Sequence, residues 1–380
     1  MIVSRQFYFT INLEEIFYFC NKKCRIYAAY GVSQTPKKFL EYEERKMEKN
    51  TNIGRISEIQ KNSYTILYNG EELKGKLKGN FYNEKQEPPV VGDYVSFLYN
   101  PMGDSTILEV KERKSYLKRP DQSGHAIGYV KTMQEQGMVA NFDYVFIVSS
   151  LNDNYNYNRI ARYVSLTLEG NGIPVVILSK MDLCSNPGRY IREIEELSDK
   201  VRVHALSALY DIGMDELEEY MKDGVTIAIL GSSGVGKSTI VNYLAKEEVM
   251  KTSEIREDDA KGRHTTTYRQ MFILPGNVTI IDTPGMRELG MCDASSGIDE
   301  TFSDIAQLQS RCRFSDCKHD TEPGCAIKQA LEDGTLSWER YELYLGLQKE
   351  NGNNSQKMKE IGKLRHAMKN NKKKYGKEFF

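Results

Sequence analysis

The chain has 380 residues, 40% hydrophobic and 28% charged, with a formal net charge of −1. That length suits two or three domains and that composition an ordinary soluble globular protein, so no exotic class is needed. The near-zero charge excludes a uniformly basic nucleic-acid binder, and any attraction to RNA must come from local patches. Apolar runs such as IPVVIL and VTIAIL are too short for a bilayer, and Glu14 and Glu15 interrupt the aromatic N-terminus, so neither signal peptide nor membrane anchor is read. Seven cysteines, three of them between Cys312 and Cys325 beside a histidine, indicate a reduced compartment, the cytoplasm, with one metal site rather than a disulfide framework.

In chain order, residues 1–50 form an extension with no clear period beyond a helical stretch around PKKFLEYEERKMEK, and no role is assigned to it. From Ile53 five short alternating runs follow, GRISEIQ, SYTILYN, EELKGKLKG, GDYVSFLYN and STILEVKER, punctuated by Asn, Gly and Pro. They predict a five-stranded β-barrel of the oligonucleotide-binding (OB) type over 51–112, with another small five-stranded barrel as the alternative. Lys74, Lys76 and Lys78 share one face of the third run, a row that suits RNA phosphates or, more commonly, a lysine-guarded sheet edge. Residues 113–140 read as a polar connector. Beyond it, buried β-branched runs alternate with amphipathic helical ones, from YVFIVSSL through IPVVILS, VRVHALSA and VTIAILG to VTIIDTPG. This predicts a mostly parallel, doubly wound α/β sheet. Past residue 290 the pattern turns helical around the cysteine cluster. From Lys357 onward it ends in a basic tail that fits phosphate contact and, equally, a solvated helix and frayed terminus.

GSSGVGKS, Gly231 to Ser238, matches the phosphate-loop pattern between a strand-like and a helix-like run. Gly231, Gly234 and Gly236 let backbone N–H groups of Ser232, Ser233 and Val235 approach phosphates, Lys237 reaches the β and γ oxygens, Ser238 offers a hydroxyl to Mg²⁺, and Thr239 shapes the site. DTPG supplies Asp282 for Mg²⁺ and Gly285 for the γ-phosphate. Between them lies KGRHTTTYR, a switch-like loop in which Thr266, or a neighbouring threonine, completes the metal shell when the γ-phosphate is present.

Ser179, Lys180, Met181 and Asp182 spell SKMD after a strand-like run. The Asp182 carboxylate can accept from N1–H and the exocyclic amine of guanine, which adenine lacks, so GTP is favoured over ATP. The stem of Lys180 can lie along the base, and Ser207-Ala208 can present a backbone N–H to guanine O6. Ser179 stands where the usual N-K-x-D pattern has asparagine. Cys312, Cys317, His319 and Cys325, spaced C-x₄-C-x-H-x₅-C, suit one structural, tetrahedral Zn²⁺, while Cys20, Cys24, Cys184 and Cys292 read as ordinary thiols.

Together these motifs resemble the circularly permuted GTPases, and specifically the ribosome-small-subunit-dependent GTPase A family (RsgA, also called YjeQ), over roughly residues 50 to 340. The most specific features are SKMD and SAL before GSSGVGKST, then GRHTTT, DTPG and CRFSDCKHDTEPGC. The resemblance implies an OB-type barrel, a permuted GTPase domain over 113–290 and a mostly helical zinc domain over 291–380. It further implies action late in maturation of the small ribosomal subunit, with GTP/GDP, Mg²⁺ and Zn²⁺ as ligands and rRNA as partner; a monomer is expected. Met286 occupies the position directly after D-x-x-G where many switch GTPases carry glutamine, so unaided hydrolysis should be slow. His264 matches the family's switch-loop histidine and is the candidate for orienting water. The same residues also fit two other readings: a P-loop kinase or ATPase acting on a small molecule, and a non-catalytic RNA-binding protein with nucleotide as a structural ligand.

Overall fold

The computed structural model describes residues 51–60, 63–79, 81, 87–121, 134–250, 270–283, 290–291 and 293–353. The N-terminal extension, His264, Thr266, Gly285, Met286, Cys20, Cys24, Cys292 and the basic tail lie outside the described residues. The chain packs as two compact units. One holds the described parts of Met1–Arg55, Lys61–Pro89 and Tyr94–Lys111, and the other holds Ile56–Gln60, Val90–Asp93 and the described residues from Glu112 onward.

The barrel strands are β1 (Thr51–Gln60), β2 (Ser63–Tyr68), β3 (Glu71–Leu77), β4 (Tyr94–Leu98) and β5 (Ser105–Val110). Their order is β1-β2-β3-β5-β4, and β4 returns to pair antiparallel with β1, closing the barrel. Asn69 and Gly70, with φ of 52° and 81°, join β2 to β3 in the two-residue turn that matches strand twist. Alternation places Ile66, Val95, Phe97 and Ile107 in the barrel core and leaves Lys74 and Lys76 outside. The lysine row is engaged locally: Lys76 pairs with Asp104 at 2.6 Å, and Lys74 Nζ donates to Thr65 Oγ1 at 3.3 Å.

The stretch 113–140 is more than a connector, because β6 (Tyr116–Asp121) and β7 (Gln134–Ala140) pair antiparallel within it. The main sheet follows, with β8 (Tyr144–Ser150), β9 (Ile173–Ser179), β10 (Arg202–Ala205), β11 (Thr226–Gly231), β12 (Gln270–Leu274) and β13 (Val278–Asp282). These run in the order β10-β9-β8-β11-β13-β12, parallel except for the antiparallel β12. Helices α1 (Tyr157–Glu169), α2 (Pro187–Glu195) and α3 (Lys237–Ala245) accompany them. Between β10 and β11, where the alternation predicts a helix, MDELEEYMKD forms a 3₁₀ segment, Asp215–Tyr220. Phe146, Val148, Ile227, Ile229 and Ile280 pack with Ile240 and Leu244 of α3 in one continuous core, and α1 packs on β8 and β9.

The C-terminal part is helical: α4 (Ser295–Thr301), α5 (Ser303–Ser310), α6 (Ala326–Glu332) and α7 over 338–353. It docks on α1 at close range. A Cβ on Gly297 would lie 2.0 Å from Ser165 O, so only glycine permits this helix crossing. Around it, the Gly297 amide donates to Glu169 at 2.7 Å, the buried hydroxyls of Ser165 and Thr301 meet at 2.8 Å, and Arg162 pairs with Glu350 at 2.8 Å.

Candidate functional site

Strands β9, β10, β11 and β13 are parallel, so their carboxyl ends open along one edge of the sheet, where loops of an α/β fold converge on a ligand. SKMD leaves β9, SAL leaves β10, the phosphate loop leaves β11, and Asp282 is the last residue of β13.

The phosphate loop turns on two glycines. A Cβ on Gly231 would stand 2.5 Å from Val148 O, and Gly236, with φ of 94°, starts α3 from the left-handed region. Lys237 Nζ donates to Gly231 O at 2.8 Å and Ser232 O at 2.7 Å, which anchors the cation within the loop. Ser238 follows in the first helical turn, half-buried; Ser233, Gly234 and Thr239 are exposed and Val235 is buried. The amides of the loop and of the α3 N-terminus form a ready anion site.

Asp282 is 5% exposed, and its Oδ1 has no hydrogen-bond partner among the described residues. Burial pushes its carboxyl up, while the Lys237 charge and the Thr283 backbone amide pull it back. A buried, unpartnered hard oxygen beside a phosphate loop suits Mg²⁺, which takes oxygen donors; Asp282 and Ser238 are the described residues that would hold it. Thr283 fixes the end of β13 by donating its hydroxyl to Ile229 O.

In the base motif, the short Ser179 side chain still reaches the phosphate loop: its Oγ donates to Val235 O at 2.6 Å. Lys180 takes a left-handed turn with φ of 55° that brings Met181 and Asp182 over β10, where the Met181 amide donates to Leu206 O at 3.1 Å. The Ser207 hydroxyl donates to one oxygen of the exposed Asp182 carboxylate, so the two base segments are joined directly. Ala208 is exposed at the start of a tight turn closed by paired backbone bonds between Ser207 and Ile212 of 2.9 and 3.0 Å. The structure thus brings Ser179, Asp182, Ser207, Val235, Lys237 and Asp282 to one edge; His264, Thr266 and Gly285 lie outside the described residues.

A separate cluster is formed by Cys312, Cys317, His319 and Cys325, whose ligand atoms all lie within 4.8 Å of one another. His319 Nδ1 is 3.6 Å from Cys312 Sγ and 3.4 Å from Cys325 Sγ, and those two sulfurs are 4.0 Å apart. Such spacings are the edges expected of a tetrahedron with metal–ligand bonds of about 2.0–2.3 Å, and the donor set suits Zn²⁺. Burial pulls the His319 imidazole down towards the neutral, ligating form. The Glu322 carboxylate accepts from the Lys318 and Asp320 amides at 2.9 and 3.0 Å, which shapes the turn carrying His319 and, with other backbone donors, holds that carboxyl down at about 2.

The RsgA GTPase family profile matches residues 110–292. A Listeria monocytogenes serotype 4b protein named small ribosomal subunit biogenesis GTPase RsgA 2 is 41% identical over 311 residues, covering 81% of this chain and 86% of that one. A Methanosarcina acetivorans protein named small ribosomal subunit biogenesis GTPase RsgA is 40% identical over 292 residues, 77% of each. The chain belongs to the RsgA GTPase family. The crystal structure of YjeQ from Thermotoga maritima supports the RsgA fold, with a TM-score of 0.56 and 28% identity over 78% of this chain and 97% of that one. YloQ, a circularly permuted GTPase, shares the fold with a TM-score of 0.54 and 24% identity, covering 80% and 96%.

One contact at the edge of this candidate site in the RsgA-family chain has no counterpart among the motifs. Asn154, in the loop between β8 and α1, donates from Nδ2 to Ser232 Oγ at 3.0 Å. The alternating asparagines of NDNYN signal turn and cap chemistry in the sequence, and nothing there indicates a partner 78 residues away. Among the described residues no helix of this RsgA-family chain is long and apolar enough to cross a membrane.

Proposed function

We propose that the chain is a cytoplasmic GTP hydrolase acting in late maturation of the small ribosomal subunit, converting GTP to GDP and phosphate and using nucleotide state to control its hold on rRNA. The observation that carries this reading is the joining of the segments at one sheet edge: Ser179 to Val235 ties base motif to phosphate loop, and Ser207 to Asp182 ties the two base segments together. The names of the RsgA relatives supply the subunit as partner.

In this reading Asp182, held by Ser207, accepts from the guanine edge, and Ala208 offers its amide to O6. The loop amides and Lys237 take the phosphates, with Lys237 already anchored on the carbonyls of Gly231 and Ser232. Preorganised donors of this kind act on charge that develops in phosphoryl transfer. Mg²⁺, when bound through Ser238, Asp282 and Thr266, would neutralise charge shared between the β and γ phosphates. His264 orients the attacking water when the chain is on the subunit. Because Met286 cannot do that work, turnover without the subunit is slow.

Steady-state hydrolysis of GTP and ATP, alone and with small or large ribosomal subunits, tests the reading. GTP-selective turnover that rises strongly with small subunits only is the expected result. ATP preference, or GTP binding without turnover under any condition, would overturn it.

A further inference from the structure

We infer that Asn154 is a positioning residue for nucleotide binding, one that sets the phosphate loop through Ser232; this inference rests on the GTPase reading above. The loop NDNYN places its three asparagines in three different tasks. Asn152 Oδ1 accepts from Ser150 Oγ at 2.8 Å and from the Asn154 amide at 3.1 Å, forming the turn after β8. Asn156 caps α1 by accepting from the Arg159 amide at 2.8 Å. Asn154, between them, reaches out of the loop to Ser232 Oγ at 3.0 Å.

The direction of that bond is fixed by Arg159. Its guanidinium donates to Asn154 Oδ1 at 3.1 Å and also to the Asn154 carbonyl. A guanidinium has no acceptor, so the amide oxygen must face Arg159 and the amide nitrogen must face Ser232. Ser232 is 3% exposed, and its own carbonyl accepts from Lys237 Nζ at 2.7 Å. The chain of contacts Arg159, Asn154, Ser232, Lys237 therefore ends on the cation assigned to the phosphates. Asn154 touches no nucleotide atom in this scheme; it holds the residue on which Lys237 rests. The base segments are reached by a different route, through Ser179 and Ser207, so guanine selectivity should not depend on Asn154.

Equilibrium titration of the full chain with fluorescent GDP and a GTP analogue, in the presence of Mg²⁺, tests the inference on wild type, Asn154→Ala, Ser232→Ala and the double variant. Each single substitution is expected to weaken binding about fivefold, the value of one ordinary hydrogen bond. The double variant should bind about as weakly as either single one, with the preference for GTP over ATP unchanged in all. Additive losses, or an Asn154→Ala variant that binds like wild type, would overturn the inference. Asn154→Asp keeps the shape if the alanine variant fails to fold. Its carboxylate would accept from the Ser232 hydroxyl instead of donating to it and adds negative charge beside the loop, so it should weaken the GTP analogue more than GDP, and equal affinity to wild type would again overturn the role. A wild-type chain that binds no guanine nucleotide would instead defeat the GTPase reading itself.

Discussion

At the scale of single residues, two side chains carry more than their motifs announce. Ser179 has a shorter side chain than the usual asparagine, yet its hydroxyl bonds Val235 O at 2.6 Å inside the phosphate loop. Ser179→Ala should therefore weaken guanine-nucleotide binding about fivefold in an equilibrium titration, by loss of one buried hydrogen bond. Asp282 has a buried oxygen with no hydrogen-bond partner among the described residues and a carboxyl pushed up by burial. A carboxyl raised in the fold takes up a proton on folding, so its charged form costs stability that grows as pH rises through the raised value. Thermal melts without nucleotide and Mg²⁺ should show Asp282→Asn melting about 2–4 °C above wild type at mildly alkaline pH, a gain that disappears in acid. The same substitution should abolish the Mg²⁺ dependence of nucleotide affinity. The phosphate loop and the Cys₃His cluster are legible in the sequence, because fixed spacing encodes both. It could not reveal the Asn154 contact, since a side-chain bond between distant loops leaves no period and no motif.

At the scale of elements, strands are legible in the sequence where apolar and β-branched residues mark burial, alternating in the barrel or continuous in the parallel sheet, and illegible where the run is polar. The five runs after Ile53 became β1 to β5, and the apolar runs became the parallel sheet. Strands β6 and β7 went unread because YLKRPD and QEQGMVA are polar and carry proline and glycine, the residues that ordinarily argue against strands. The short strand β12, partly exposed and held mainly by its pairing with β13, belongs with them. Gly297 is another feature without a sequence signature: its meaning lies in Ser165 O, which a Cβ would meet at 2.0 Å. Gly297→Ala must push α4 off α1 and should lower stability by about 1–3 kcal/mol in chemical denaturation, with the Ser165–Thr301 hydrogen bond lost as well.

At the scale of the molecule, the permuted order of motifs leaves every strand where a doubly wound sheet needs it, since the sheet depends on neighbours rather than on chain order. The Cys₃His cluster, which could hold zinc, sits within the helical part that docks on α1. Elemental analysis should find one zinc per chain. Its removal by a strong chelator, or by Cys312→Ser, should loosen the loop between α5 and α6 and lower the melting temperature, while nucleotide affinity changes little, because no cluster ligand belongs to the nucleotide site.

Helix α1 is held near its start by Arg159, through Asn154 to the phosphate loop, and near its end by Glu169, to Gly297. The ten residue steps between them span about 15 Å, so a tilt of about 5° pivoting at the loop end would carry the far end through about 1.3 Å. A displacement of that size is comparable with the helix shifts that relay ligand state across subunit interfaces. With glycine at the crossing there is no side chain to cushion it, and α4 would have to travel with the helix or let go.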